Sequence, residues 1–191
     1  MRAMVDAERR GRFLELGCGD GLNLSIAREL GYRELVGMDY SLDLVLASRV
    51  KTVLVGDGLR LPFERASFRT IFVDSVLHHF SDYQAAAREC YRVLAPGGRL
   101  YYFEPRPSAL RSILDRLTMS GWLSFLPFFA SRRETLAEEW GLYQTWLRDH
   151  AEMKRFLFAA GFTARYDRKG PIGMFLCFEK PSAASEGSAH S

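Results

Sequence analysis

The amino-acid sequence predicts an α/β fold: a doubly wound, mostly parallel sheet of seven strands, with an antiparallel last strand and a helical insertion after the fifth. Three observations predict it. Short apolar runs alternate with helical patterns from Arg12 to Phe103, which is the rhythm of parallel βαβ units. The first run, FLELGCGDG from Phe13 to Gly21, ends in glycines at every second position, as a strand-to-helix turn that admits a ligand does. Two apolar runs near the end, Phe162–Tyr166 and Met174–Phe178, read as a hairpin that closes the sheet.

In chain order, a strand is expected at Arg12–Leu16, a helix at Leu22–Leu30 and a strand at Glu34–Met38. A helix at Leu42–Arg49 leads to a strand at Thr52–Val55, and a turn-rich loop leads to the next at Thr70–Val73. The helix expected at Tyr83–Leu94 places Tyr83, Ala87, Cys90, Tyr91 and Leu94 on one face and stops at Pro96-Gly97-Gly98, before a strand at Arg99–Phe103. The rhythm then breaks. Ser108–Met119 carries an apolar stripe (Leu110, Ile113, Leu114, Leu117), followed by the bulky GWLSFLPFFA and an acidic, aromatic-rich helix. Asp149 and Glu152 have the spacing of a capping box, and Gly161 that of a helix stop.

With 191 residues, 48% of them hydrophobic, the chain has material for one sizeable core and hardly for two. Residues 1–181 are therefore read as one domain, with a helical lid insertion at about 105–147. The small polar tail, residues 182–191, is expected to be disordered. A net charge of +3 arises from 26 basic and 23 acidic side chains spread without a block of one sign, which argues against nucleic acid as a partner. Cys18, Cys90 and Cys177 are odd in number and far apart, the pattern of reduced thiols in a cytoplasmic protein. The polar start, MRAMVDAERRGR, has no apolar core of a signal peptide, and Trp122–Ala130 is too short to span a bilayer.

The glycine turn defines the ligand question. Its spacing, Gly17-x-Gly19-x-Gly21, departs from the G-x-G-x-x-G that seats a dinucleotide pyrophosphate, and Glu15 stands two residues before the first glycine. A carboxylate there repels phosphate and suits a nucleoside bearing an ammonium group. Asp39 ends the second strand, where this fold sets an acid against ribose hydroxyls. Asp57, in VGDGLRLPF, is placed to accept from an exocyclic amine such as that of adenine, with Leu59 and Leu61 as apolar walls.

These residues resemble the class I S-adenosylmethionine-dependent methyltransferases, particularly the small-molecule group. FLELGCGDG resembles the family's first motif, GMDYS its acidic second strand, GDGLRLPF its adenine loop, FRTIFVDSVLHHF its fourth strand, and ECYRVLAPGGRLYYFEP the helix and strand that follow. Five motifs in order, over about residues 12–104, make the match specific. The resemblance implies a Rossmann-like domain with S-adenosyl-L-methionine as cofactor and S-adenosyl-L-homocysteine as product. It implies that Gly17 and Gly19 approach the methionine part, with Glu15 near its ammonium or orienting the turn, and that Asp39 holds both ribose hydroxyls. Tyr40 would lie near the adenine, Asp57 and the Gly58 N–H would read its edge, and Asp74 or Ser75 would sit near the sulfonium. Arg69 departs from the acid usual at the start of the fourth strand, and the short segment before Arg12 leaves Met119–Trp140 or a partner to cover the cofactor.

For chemistry, His79 and Asp74 are the candidate catalytic residues, as base or acceptor anchor; no metal ligand set is expected. Glu104 is weighed as an acceptor contact or a loop hydrogen bond, and Tyr143, Trp146 and His150 as acceptor pocket or core. Cys18 reads as packing rather than a redox switch. Trp122–Phe129, flanked by Arg111, Arg116, Arg132 and Arg133, reads first as a lid packed on the domain, and otherwise as a membrane or greasy-acceptor contact. The expected activity is methyl transfer to a small, apolar or lipid-like acceptor. Its alternatives are a non-catalytic methyltransferase-like binding module and, less favoured, an NAD-dependent oxidoreductase.

Overall fold

Apolar runs buried on both sides set the centre of the sheet. The computed structural model describes residues 11–182; the start through Arg10 and residues 183–191 lie outside, and with them the readings of the polar start and of all but the first residue of the tail. β1 (Phe13–Leu16) is buried at every position, as a strand covered on both faces must be. It pairs in parallel with β2 (Leu35–Asp39) on one side and with β4 (Phe68–Asp74) on the other. β3 (Val53–Val55) adds beyond β2, and β5 (Leu94–Pro105) beyond β4. A hairpin of β6 (Thr163–Lys169) and β7 (Gly173–Glu179) completes the order β3-β2-β1-β4-β5-β7-β6. β7 runs antiparallel to both neighbours, so the predicted fold class holds.

Strand alternation divides the core in two. Leu14 and Leu16 face Ile71, Val73, Leu100, Tyr102 and Leu176, beneath α3 (Tyr83–Val93) and the C-terminal half of α5 (Pro127–Ala159). Phe13, Phe72, Tyr101 and Cys177 pack on the opposite face with Leu24 and Ala27 of α1 (Leu22–Glu29). α2 (Leu42–Ala47) is capped by Ser41, whose hydroxyl accepts from the Leu44 N–H. Tyr143 and Trp146 are fully buried, and the Trp146 indole donates to the Pro105 carbonyl at 2.9 Å. Both are core.

Two expectations drawn from local stop signals change. Pro96–Gly98 does not separate helix from strand: β5 begins at Leu94, and its register against β4 shifts between Phe68↔Leu94 and Thr70↔Arg99. The Pro-Gly-Gly stretch is thus an irregularity within the strand, where a residue lacking an N–H is tolerated, and Arg69 Nη1 secures it by donating to the Pro96 carbonyl (2.8 Å). The capping box at Asp149 is also absent, because α5 continues unbroken for 33 residues. Asp149 pairs with Arg148 and Glu152 with Arg155, while buried Leu136, Tyr143, Trp146, Met153 and Leu157 hold one helical stripe throughout. Burial of that stripe outweighs a local stop signal.

α4 (Ala109–Met119) is inside out. Its buried residues are Asp115 and Thr118, while Leu110, Ile113 and Leu117 are exposed. Tyr143 Oη donates to Asp115 Oδ2 at 2.7 Å, and Arg132 of α5 pairs with Oδ1, so a polar clasp joins α4 to α5. The start of α4 is tied to the hairpin turn: Arg106 Nη1 donates to the Gly170 carbonyl (2.8 Å) and Arg111 Nε to that of Ile172 (3.0 Å). Trp122, Phe125 and Phe128 are 78%, 76% and 63% exposed, which overturns the reading of this segment as a packed lid.

Candidate active site

At the carboxyl ends of β1, β2 and β4 lies a cavity of about 710 Å³, at the point where the strand order reverses and ligands of this architecture bind. The glycine turn forms its floor. Gly17 (φ 67°) and Gly19 (φ 51°) both occupy the left-handed region, which a side chain strains. The Gly17 and Cys18 N–H groups donate to the Met38 carbonyl (2.7 and 3.1 Å), pinning the turn to β2. A Cβ on Gly17 would meet Val76 Cγ2 at 2.1 Å, whereas one on Gly19 would meet nothing among the described residues within 4 Å. Gly17 is therefore demanded by packing, and Gly19 opens onto free space.

Asp39 organises the second wall. Its carboxylate accepts from the Gly19 N–H (2.8 Å) and from the Ser41 N–H (2.9 Å), bridging the turn to the start of α2. Asp57 Oδ1 accepts from the Leu59 N–H (2.8 Å) and shapes the loop that brings Gly58 and Leu59 to the cavity. Tyr40 lines the same wall and is 83% exposed. Leu61, expected there, belongs instead to the core.

β4 delivers the third side. Asp74 lines the cavity, accepts from Ser75 Oγ (3.1 Å) and receives Asn23 Nδ2 at 3.4 Å. Ser75 sits at φ 57°, an uncommon conformation for a non-glycine residue, and turns the chain into the short 3-10 turn Leu77–His79. Glu104 holds that turn. Fully buried, it accepts from the Val76 and Leu77 N–H groups (2.8 and 2.6 Å) and lies 3.0 Å from His78 Nδ1. Its part is the loop hydrogen bond, not an acceptor contact. His79 reaches the cavity, and its pKa is lowered by burial and by the neighbouring His78. Glu139 of α5 also lines the cavity, a residue that sequence reasoning missed because it lies far along the chain from the histidines it meets.

Of the expected site residues, Gly17, Gly19, Asp39, Tyr40, Asp57, Gly58, Asp74 and His79 converge on this cavity. Glu15 does not. It is wholly buried in β1, its side chain on the face shared with Phe13, and among the described residues neither carboxyl oxygen has a partner at full hydrogen-bond geometry, although the Asn23 amide is near enough to act on it. Burial pushes its pKa up to about 8; Asn23 opposes the rise, and the charges of Asp74, Asp39 and Asp20 add to it. A carboxyl so raised is mostly neutral at pH 7, so it does not repel phosphate, and the charge preference drawn from it falls. Burial likewise raises the Cys18 thiol to about 12, with Glu15 and Asp39 contributing, which leaves no reactive thiolate.

Residues 14–102 match the family model described as "Methyltransferase domain". The chain is 31% identical over 174 residues to the demethylmenaquinone methyltransferase of Thermus thermophilus, a match covering 82% of this chain and 76% of that protein. The chain belongs to the class I S-adenosylmethionine-dependent methyltransferases. A solved S-adenosylmethionine-dependent methyltransferase from Mesorhizobium loti shares the fold of this methyltransferase with a TM-score of 0.65 at 17% identity, covering 93% of this chain and 94% of that one. A second set of relatives cuts across the expected exclusion of nucleic acid: the methyltransferase is 34% identical over 109 residues to a Bos taurus protein named "Probable tRNA methyltransferase 9B", covering 54% of this chain and 23% of that one. A mild overall charge therefore does not decide the acceptor. Among the described residues, no helix is long and apolar enough to cross a membrane.

The methyltransferase uses S-adenosylmethionine, and its cavity fits that cofactor. The open space over Gly19 is what close approach of a ligand to backbone requires, and the carboxylates of Asp39 and Asp57, on adjacent strand ends, suit hydroxyl and amine donors. When bound, the cofactor supplies an electrophilic methyl carbon on a sulfonium.

Proposed function

We propose that this methyltransferase acts on a small, apolar, lipid-like acceptor presented across the α4–α5 cover. The inside-out α4 carries the reading. A helix that buries Asp115 and exposes Leu110, Ile113 and Leu117 departs from the rule that apolar faces turn inward. The exposed stripe is continued in the chain by Trp122, Phe125 and Phe128, and Arg116 and Arg133 belong to the same cover. Apolar area edged by arginine suits an acyl or isoprenoid surface with anionic headgroups. The name of the Thermus thermophilus relative agrees with an acceptor of this kind.

In this reading Asp39 and the Gly58 N–H hold the nucleoside, Gly17 and Gly19 admit the methionine part, and Asp57 reads the adenine edge. Asp74 and His79 stand at the acceptor side, where His79 takes a proton from an acceptor hydroxyl or carbon acid. Alignment and exclusion of water supply most of the rate, because the leaving group is already good. The test is methyl transfer from radiolabelled S-adenosylmethionine to three acceptor sets: prenylated quinols in detergent, water-soluble phenols, and transfer RNA. Label in the prenylated set is the expected result. Label in RNA alone, or in water-soluble phenols with equal efficiency, overturns the proposal.

A further inference from the structure

Where α5 meets the turn after β4, two imidazoles and a carboxylate converge. His78 Nε2 lies 3.5 Å from Glu139 Oε2, and His79 Nε2 lies 3.6 Å from Glu139 Oε1. The two rings are close, with centroids 4.3 Å apart, and one donor atom from each of the three residues falls within 4.8 Å of the others. We propose that His78, His79 and Glu139 bind a divalent first-row transition-metal ion at the mouth of the cofactor cavity.

The distances suit an ion as well as they suit a simple ion pair. At 3.5–3.6 Å the nitrogen–oxygen contacts are long for hydrogen bonds. Donors placed tetrahedrally about an ion at roughly 2.0–2.2 Å are themselves about 3.3–3.6 Å apart; the two contacts have that length but fall on different oxygens of Glu139, and the donor atoms as a set lie within 4.8 Å, so an ion would draw the three side chains slightly together. The donor set, two imidazoles and one carboxylate, suits zinc, iron, cobalt or nickel and leaves coordination positions vacant. Glu104 supplies the outer support. Fully buried and 3.0 Å from His78 Nδ1, it accepts that N–H and leaves Nε2, on the far side of the ring, free to ligate once its own proton is displaced to solvent. Glu104 is in turn held by the Val76 and Leu77 N–H groups, so the orientation of His78 is built into the turn.

The position gives the ion a use. His79 and Glu139 both line the cavity that holds the cofactor, so the vacant coordination positions face the space an acceptor must enter, and an oxygen of the acceptor bound there is polarised by a Lewis acid. With the ion bound, His79 Nε2 is a ligand and not a base, and the metal itself eases loss of the proton from an acceptor hydroxyl; the site does not need that acceptor to be lipid-like.

The decisive experiment is a cobalt titration of tag-free protein stripped by chelator, followed by visible absorption and by equilibrium dialysis with elemental analysis. Wild type is expected to bind one equivalent with the intense visible bands of a low-symmetry site, and zinc to displace the cobalt. Glu139→Gln and His79→Asn each remove a ligand from a partly exposed position, so both are expected to fold, with unchanged circular dichroism, and to lose at least ~10-fold in affinity. His150→Asn, a control histidine elsewhere on α5, should bind as wild type does. Absence of saturable binding overturns the proposal, as does equal affinity in wild type, Glu139→Gln and His79→Asn. Loss of binding in His150→Asn with retention in Glu139→Gln would also overturn it, by placing the ion elsewhere.

Discussion

Replacing Glu15 by glutamine removes a buried carboxyl and keeps its shape. In the fold this carboxyl holds its proton to about pH 8, because burial disfavours its charge, whereas its ordinary pKa is 4.5. Between those values the native state binds a proton that the unfolded chain has released. The group's contribution is thus fully favourable below pH 4.5 and is lost as pH rises, at ~1.4 kcal/mol per pH unit, levelling off above pH 8. From about pH 5 to about pH 8 the wild type should lose roughly 3 to 4 kcal/mol through this group alone, a large part of an ordinary domain's stability. Glu15→Gln carries no titrating group, so its unfolding free energy should vary far less over that range. Urea unfolding of both proteins at several pH values, without nucleoside, measures the difference. The variant should match the wild type to about 1 kcal/mol near pH 5 and exceed it near pH 8. Curves that stay parallel across the range would show that Glu15 ionises normally, and the account of β1 as sealed on that face would be wrong.

Asp39→Ala removes the acceptor for the Gly19 and Ser41 N–H groups, and calorimetry with S-adenosylhomocysteine should show a loss of at least ~10-fold in affinity. Gly19→Val places a side chain in space that is open without ligand; cofactor binding should disappear while the melting temperature falls by only a few degrees, corresponding to ~1 kcal/mol of backbone strain. Gly17→Ala should instead destabilise the fold by ~2 kcal/mol or more through its clash with Val76, as read by thermal unfolding. Asp115→Ala strands the Tyr143 hydroxyl and Arg132; a cost of ~1–3 kcal/mol should appear as faster hydrogen exchange in α4. Ile113→Ser combined with Phe125→Ser should raise KM for a prenylated acceptor several-fold and leave S-adenosylhomocysteine affinity unchanged.

How much of this was legible in the sequence depended on whether the signal was local. The strands and the glycine turn were, because short apolar runs and positive φ leave their marks within a few residues, at Phe13–Leu16 and at Gly17 and Gly19. The same local reading misplaced Glu15, since a polar residue beside a motif looks like a ligand contact, while the alternation of β1 already assigns its side chain to the Phe13 face. It also stopped a helix at Asp149. There the signal that could have corrected it was present: Leu136, Tyr143, Trp146, Met153 and Leu157 recur at helical spacing straight through the apparent cap. The meeting of Glu139 with His78 and His79 was illegible, because it arises only when α5 is laid across the sheet. So was the outward face of α4, whose stripe has the same spacing whichever way it turns.

The unbroken course of α5 has a consequence for how such an enzyme changes specificity. Thirty-three helical residues make a rod of about 50 Å, and that rod carries Arg132 against the cover, Glu139 at the cavity and Leu157 in the core in one fixed phase. Each inserted or deleted residue would turn everything on one side of it by about 100° relative to the other and slide it by about 1.5 Å. An insertion between Glu139 and Trp146 would either swing Glu139 out of the cavity or pull Trp146 from beneath the Pro105 carbonyl. A change of length in the turn between α4 and α5 would leave these phases intact. Within the rod, a new acceptor must be met by exchanging side chains at constant length.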